Sequence, residues 1–137
     1  MSTEPPGFHF VDAMPSCPSP EIVEVAIPAE IRRRRELLAR FAEGLRFPDY
    51  FGWNWDALEE CLGDLSWLAD AEQIVVRHAD VPFAERSRHR RTYLQILATW
   101  TAGRHAASGI ARRVVLFPSA YKAPVLACLT QDEWPTT

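Results

Sequence analysis

The chain has 137 residues, of which 47% are hydrophobic, and this size and composition predict a single domain, 1–137, with a buried core. Its net charge of −3 argues against general binding to nucleic acid or to membrane surfaces, which a basic excess would favour. No apolar run approaches the roughly 20 residues that span a bilayer, and the first residues lack the basic and apolar regions of a signal peptide, so we expect a cytoplasmic protein.

The first third of the chain supplies two candidate strands and one helix. Phe8–Asp12 alternates large and short side chains as a brief strand does, within an N-terminal segment, 1–20, that prolines after Met14 make partly irregular. Glu21–Ile27 alternates again and is rich in β-branched residues, so the pattern leaves open which of the two begins the sheet. Pro28 then predicts the N-terminal end of a helix. The core stripe predicted for this helix consists of Ile31, Leu37, Leu38, Phe41 and Leu45.

Consecutive arginines, Arg32–Arg35, lie near the start of this predicted helix. Successive helical residues point around most of the circumference, so these side chains cannot form one basic face. Glu36 can pair with Arg32 and with Arg40, because each lies one helical turn away. The pattern therefore favours a solvated helix surface over a nucleic-acid-binding one.

The stretch 47–62 reads as a sharp turn that runs into a short helix. Pro48 bars a continuing helix, and Gly52 supplies a position where a positive φ costs little. Asn54 is the predicted N-cap, since its side-chain oxygen can accept from the free N–H groups of the first turn, and Gly63 is the predicted stop. The stripe predicted to be buried consists of Trp55, Leu58, Cys61 and Leu62.

The opposite face of this helix carries Asp56, Glu59 and Glu60 and is anionic. Asp56 and Glu60 form a like-charge pair one turn apart, which costs the helix about 0.2–0.5 kcal/mol. Acids greatly outnumber bases between 43 and 72, and bases outnumber acids between 77 and 113. This asymmetry predicts two faces of opposite charge within one domain.

The second half of the chain predicts two more strands and a long helix. Gln73–His78 reads as a short buried strand, and Arg86–Arg91 leads into a helix that ends near Gly103. Arg112–Phe117 is the last predicted strand, and Pro124–Leu129 adds an edge strand or a packed tail. Strands separated by helices predict an α/β fold, a small three-stranded parallel sheet packed with helices.

No catalytic or metal-binding constellation is present in the sequence, so we expect neither enzymatic activity nor a metal or cofactor. The histidines lack paired-ligand spacing and are expected at the surface or at strand ends, and the odd number of separated cysteines predicts neither a disulfide framework nor a redox pair. Asp56 and Glu60 could be imagined as an acid/base pair, but an exposed convex face lacks the apolar pocket that would raise one pKa. The histidines of the chain are His9, His78, His89 and His105, and its cysteines are Cys17, Cys61 and Cys128.

The turn and the acidic helix resemble the barstar family, intracellular inhibitors of a secreted bacterial ribonuclease. The matching residues are Pro48-Asp49-Tyr50-Phe51-Gly52, Asn54, Asp56-Ala57-Leu58 and Glu60-Cys61-Leu62. The resemblance implies the barstar fold, whose element order is similar, and one nuclease bound in a 1:1 complex by a protein that is monomeric when free. It also implies that the acidic helix blocks the nuclease's basic cleft by mimicking phosphates.

By this resemblance Tyr50, Asp56 and Glu60 contact the partner, while Gly52 and Asn54 set the turn and the cap. Trp53 and Glu59 complete the predicted partner-binding set. This sequence departs from the family in three ways. Glu60 stands where barstar has Asp, Glu59 stands where barstar has an interfacial Trp, and the neighbourhood of a further barstar carboxylate holds Ser87, Arg88 and Arg90.

Two alternatives follow from these departures. One is an interaction or regulatory protein of the same fold that binds another basic protein without inhibiting a ribonuclease. The other is a nucleic-acid contact through the basic stretch 86–113, which would show a steep dependence on salt.

Overall fold

The computed structural model describes residues 5–13, 21–68, 71–83, 86–103 and 112–129. Its centre is a parallel sheet of four strands in the order β1-β4-β3-β2. The strands are β1 (Phe8–Val11), β2 (Ile22–Ile27), β3 (Gln73–His78) and β4 (Arg112–Pro118). The α/β class and the parallel sheet are confirmed, and the prolines predicted to form a loop in 14–20 lie outside the described residues.

The prediction of three strands is wrong, because both candidate strands near the N-terminus join the sheet. β1 pairs with β4, from Phe8 opposite Val115, and β2 pairs with β3, from Ile22 opposite Gln73. The two candidates therefore occupy opposite edges of the sheet. Alternation along one strand carries no information about its partner, so the sequence could not separate one edge from the other.

Four α-helices accompany the sheet among the described residues. α1 and α2 lie between β2 and β3, α3 connects β3 to β4, and α4 follows β4. The helices are α1 (Arg34–Gly44), α2 (Trp55–Asp64), α3 (Ser87–Thr101) and α4 (Lys122–Leu129).

α1 begins later than Pro28, where the sequence predicted its start. Glu30 has a φ of 65°, which breaks the backbone path of a right-handed helix before Arg34. The helix is instead capped by Glu36, whose carboxylate accepts from the backbone N–H groups of Arg32 at 3.2 Å and Arg33 at 3.1 Å. Ile31 is still buried, from the segment that precedes the helix.

α2 and α4 also differ from their predictions. Gly63 lies inside α2 and is buried, and the helix ends at Leu65, which adopts a left-handed φ of 46° and donates to the carbonyl of Cys61. Leu65 is fully buried, so its packing offsets a conformation that is costly for a residue with a side chain. The segment Pro124–Leu129 is helical rather than an edge strand, and α4 packs against α3 through Val125 and its neighbours.

His78 lies at the end of β3, one of the two positions expected for the histidines, and its ring is buried. Its Nδ1 lies 2.9 Å from the carbonyl oxygen of Leu116, and its Nε2 lies 2.6 Å from the hydroxyl of Tyr93. Burial lowers the pKa of His78 to about 3, although the bond to Leu116 opposes that shift. The ring is therefore neutral and bonded at both nitrogens, and it stacks on Phe117 with a centroid distance of 4.0 Å.

The first turns of α1, α2 and α3 meet beyond the carboxyl ends of the strands. α1 and α3 follow parallel strands, so both begin where those strands end. The start of α2 joins them there, because the Arg35 guanidinium lies 4.7 Å from the ring centroid of Trp53, and Trp55 Nε1 donates to His89 Nδ1 at 3.3 Å. Trp53 and the first turn of α2, two parts of the predicted partner-binding set, therefore lie beside the starts of α1 and α3.

Candidate partner-binding site

α2 exposes the face that the sequence assigned to the solvent. Leu58, Cys61 and Leu62 are buried in the core, while Asp56 and Glu60 are exposed and Glu59 is half-buried. The predicted cap is confirmed, because Asn54 Oδ1 accepts from the backbone N–H of Ala57 at 2.7 Å. A fixed helix thus presents its carboxylates outward from a packed base.

A third carboxylate extends this acidic face. Asp64 lies one turn beyond Glu60, so Asp56, Glu60 and Asp64 form a row at successive turns, which we call the acidic row. Gly63 was the predicted end of the helix, so Asp64 was not among the predicted site residues, although its spacing from Glu60 would place it on the same face. Neither Asp56 nor Glu60 has an ion-pair partner among the residues that the structure describes.

Tyr50 lies beside the far end of the acidic row. Its side chain is 72% exposed, the largest exposure reported for a large hydrophobic residue of the described chain. Partial desolvation is the largest cause that raises the pKa of the Tyr50 hydroxyl, and the negative charges of Asp64 and Glu60 raise it further. The hydroxyl therefore remains protonated at neutral pH and can donate a hydrogen bond to an incoming partner.

The turn before α2 places its positive φ at Trp53 instead of Gly52. Trp53 has a φ of 58°, and its ring packs against Phe51 with a centroid distance of 5.1 Å and beneath the guanidinium of Arg35. A cation–π contact of this kind contributes about 0.5–1 kcal/mol at an exposed site. Arg35 is a further residue that the sequence analysis missed, since nothing local in the sequence joins 35 to 53.

An aromatic column supports this turn from behind, and it consists of Trp67, Phe47, Phe51 and Trp53. Adjacent rings lie 6.2, 4.8 and 5.1 Å apart. Trp67 Nε1 also donates to the carbonyl of Leu45 at 2.7 Å, which fixes the column to the end of α1. The loop that carries Tyr50 and Trp53 is therefore held in place before any partner arrives.

Gly52 is exposed, and its surroundings are open. A Cβ added there would lie 3.5 Å from Ala57 Cβ and 3.7 Å from Asn54 Nδ2, which are ordinary van der Waals distances. The absence of a side chain at Gly52 is thus not required by the fold of this chain. It leaves the backbone of the turn accessible between Tyr50 and Trp53.

The two cysteines of the described chain are free thiols that differ in burial, since Cys61 is buried and Cys128 is half-buried. Cys61 is buried as predicted, and burial, with the negative charges of Glu60 and Asp64, raises the pKa of its thiol to about 11. The thiol is therefore protonated at neutral pH and unreactive. Cys17 and His105 lie outside the described residues.

Within the ranges that the structure describes, no group of three His, Cys, Asp or Glu side chains is placed to hold a metal ion. The same ranges contain no helix long and apolar enough to cross a membrane. The basic residues of 77–113 do not share one face, because Arg86 lies at the start of α3, beyond the carboxyl end of β3, whereas Arg112 lies at the amino end of the parallel strand β4. Arg77 is paired with Glu24 at 3.6 Å on the sheet itself.

Residues 23–116 match the family model described as Barstar (barnase inhibitor), and this range is more than half of the chain. The chain belongs to the barstar family. Comparison with curated proteins and with solved structures finds no match. The range matched to barstar runs from β2 into β4 and contains the whole acidic row, whereas β1 and α4 lie beyond it.

The departures from the barstar pattern change the chemistry around the acidic row. Glu59 is half-buried where barstar has a tryptophan, and the exposed tryptophan of this site is Trp53, at 36% exposure. Ser87 and Arg88 are exposed at the start of α3, where the resemblance implies a carboxylate. In this barstar-family chain the exposed tryptophan thus lies in the turn before α2 and not on the helix.

Proposed function

We propose that this protein inhibits a ribonuclease of the type that cells export, by inserting the acidic row of α2 into the nuclease's basic active-site cleft. The chain itself has no catalytic role in this proposal, and the complex contains one copy of each protein. Membership in a family described as barnase inhibitors supports the class of partner. The acidic row supports the mode of binding.

One observation carries the proposal furthest. The carboxylates of Asp56 and Glu60 are exposed, have no cationic partner in the described part of the chain, and stand on a helix whose other face is fully packed. A helix keeps two such groups about 6 Å apart along its axis without further ordering on binding. A cleft that evolved to hold phosphates offers cations that can hydrogen-bond to these carboxylates.

The remaining site residues have positions that fit this mode of binding. Tyr50 and Trp53 flank Gly52, so aromatic area lies on each side of an open stretch of backbone. Exposed aromatics on a rigid turn are effective anchors because little side-chain entropy is lost when they become buried. Asn54 and Arg35 act indirectly, through the helix cap and the ring of Trp53.

The test measures binding and inhibition of a barnase-like ribonuclease by calorimetry and by RNA cleavage. Asp56→Ala and Glu60→Ala should each weaken binding by about 2–5 kcal/mol, roughly 30-fold to several thousand-fold, because cations of the cleft lose their partner after desolvation. Glu43→Ala is the matched control, since Glu43 is an exposed acid on α1. It should change the affinity by less than about 0.5 kcal/mol.

Folding of the acidic variants should be unchanged, and removal of Glu60 relieves its repulsion with Asp56, so thermal stability should stay level or rise slightly. Equal affinity of the acidic variants and the wild type would contradict the proposal. Loss of inhibition in Arg88→Ala/Arg90→Ala alone would move the interface to the start of α3. RNA hydrolysis by the purified protein that disappears in Asp56→Ala would show an enzyme instead of an inhibitor.

A second candidate function is binding of another basic protein without inhibition of a ribonuclease. The observation that favours it is the arginine-rich start of α3, next to the acidic row, where Arg86 and Arg88 are exposed. These cations would repel the basic rim of a nuclease cleft. Tight binding to the nuclease that leaves RNA cleavage intact, or no binding at all, would favour this candidate.

A further inference from the structure

A cavity of about 330 Å³ lies beyond the carboxyl ends of β2 and β3. One wall comes from residues 30–33, between β2 and α1, and the other from Asp80, Val81, Phe83 and Arg86, which follow β3. Ile31 and Phe83 line its apolar part and are themselves buried. Arg32, Arg33 and Arg86 line its rim and are exposed, so we call it the arginine cavity.

The walls of the arginine cavity are joined to each other. The backbone N–H of Phe83 donates to the carbonyl of Ile31 at 2.9 Å, which ties the two segments together. Glu30 and Phe83 both adopt left-handed conformations, with φ of 65° and 62°, and these bend each segment around the opening. Since both residues that join the walls are packed into the core, the cavity exists without a ligand.

Three arginines and two acids line the cavity, so the formal net charge of its lining is +1. Asp80 also lines it, but its carboxylate already accepts from the backbone N–H of Val81 at 2.7 Å and from the hydroxyl of Tyr121. Glu30 is the other acid of the lining. The guanidiniums of Arg32, Arg33 and Arg86 make no ion pair with any residue that the structure describes.

Glu36 does not neutralise this cluster through its side-chain contacts. Its carboxylate is held by the backbone N–H groups of Arg33 and Arg32, which lower the pKa of Glu36, and the charges of the same two arginines lower it further. Arg34 and Arg86 also add positive charge beside His89, close to the start of α3. After burial of the ring, their charges are the causes that lower the pKa of His89.

We propose that the arginine cavity binds a small soluble molecule that carries one or two phosphate groups. Planar guanidiniums recognise phosphate oxygens in pairs, and three arginine residues line this one cavity. The volume lies at the lower end of the range of about 300–1,000 Å³ typical of small-ligand sites. Parallel α/β sheets also bind ligands beyond the carboxyl ends of their strands. The acidic row is not part of this cavity, so the proposal is independent of ribonuclease inhibition.

Isothermal titration calorimetry of the full chain with inorganic pyrophosphate at low ionic strength tests this site. We expect one saturable site, and Arg33→Ala and Arg86→Ala should each weaken it at least tenfold. Both side chains are exposed, so these variants should keep the wild-type circular dichroism and melting temperature. Arg112→Ala is the matched control, because it removes the same charge at the amino end of β4, away from the cavity. It should leave the affinity within about twofold.

Four results would overturn the assignment. They are the absence of saturable heat with pyrophosphate, wild-type affinity in both cavity variants, equal weakening by Arg112→Ala, and binding to polymeric RNA but not to pyrophosphate. Asp56→Ala should bind pyrophosphate as the wild type does. Failure of the cavity proposal is therefore distinguishable from failure of the inhibitor proposal.

Discussion

Between pH 8 and about pH 4.5 we expect the free energy of unfolding to fall by about 3 kcal/mol because of His78 alone. The carbonyl of Leu116 can only accept, so His78 Nδ1 carries the proton, and Nε2 accepts from the hydroxyl of Tyr93. The neutral ring is therefore fully bonded. Protonation would place a positive charge in the interior. Among the described residues, no carboxylate forms a hydrogen bond or an ion pair with the ring.

The sign follows from the two pKa values of His78. In the unfolded chain the ring takes up a proton near its ordinary pKa of 6.5, whereas the folded protein resists protonation down to about 3. The stabilisation is complete above pH 6.5 and is lost as the pH falls toward 3, at about 1.4 kcal/mol per pH unit. Tyr93 does not titrate in this range, since burial raises its pKa well above 10.0.

Urea denaturation followed by circular dichroism at several pH values between 8 and 4.5 measures this effect. The comparison variant is His78→Phe/Tyr93→Phe, which removes the titrating ring together with the hydroxyl bonded to it. The variant retains the exposed carboxylates, so its pH dependence reports their contribution. If the wild type and the variant lose stability in parallel below pH 6.5, His78 is not the acid-sensitive group and the reasoning is refuted.

Three further predictions concern the site. Asn54→Ala should lower the stability by about 1 kcal/mol in thermal denaturation, because it removes the cap of α2, while Asn54→Asp should retain it. Gly52→Ala should keep or slightly raise the stability, since its Cβ meets Ala57 at 3.5 Å, so weaker nuclease binding by this variant would report a close approach of the partner's backbone. Native-state alkylation should label Cys128, which is half-buried, before Cys61, and the reverse order would contradict the raised pKa of the Cys61 thiol.

The sequence predicted those features that depend on neighbours along the chain. The cap at Asn54, the buried stripe through Leu58 and Cys61, and the strand Gln73–His78 each follow from local spacing, and each is confirmed. The exposed positions of Asp56 and Glu60 follow from the same periodicity. The partner-binding role of these residues remains a prediction.

The features that the sequence did not predict depend on contacts between distant segments. Trp53 adopts a positive φ while its ring contacts Phe51 and Arg35, and only the tertiary structure brings Arg35 there. His78 is buried because Tyr93 and Leu116 supply its bonds, and neither lies near it in sequence. Local propensity therefore favoured Gly52 for the positive φ of the turn, and tertiary packing overrode it. The sequence predicted His78 at the end of a buried strand, but not the two bonds that its ring makes in the interior.

The position of β1 affects how the protein folds during synthesis. β1 pairs with β4 alone, so the first strand of the chain finds its partner only after nearly the whole domain has left the ribosome. β2 and β3 can associate before that point, while Phe8 and Phe10, which pack on Phe117 in the finished sheet, remain uncovered. This pairing joins the two ends of the described chain, a long-range contact of the kind that slows folding.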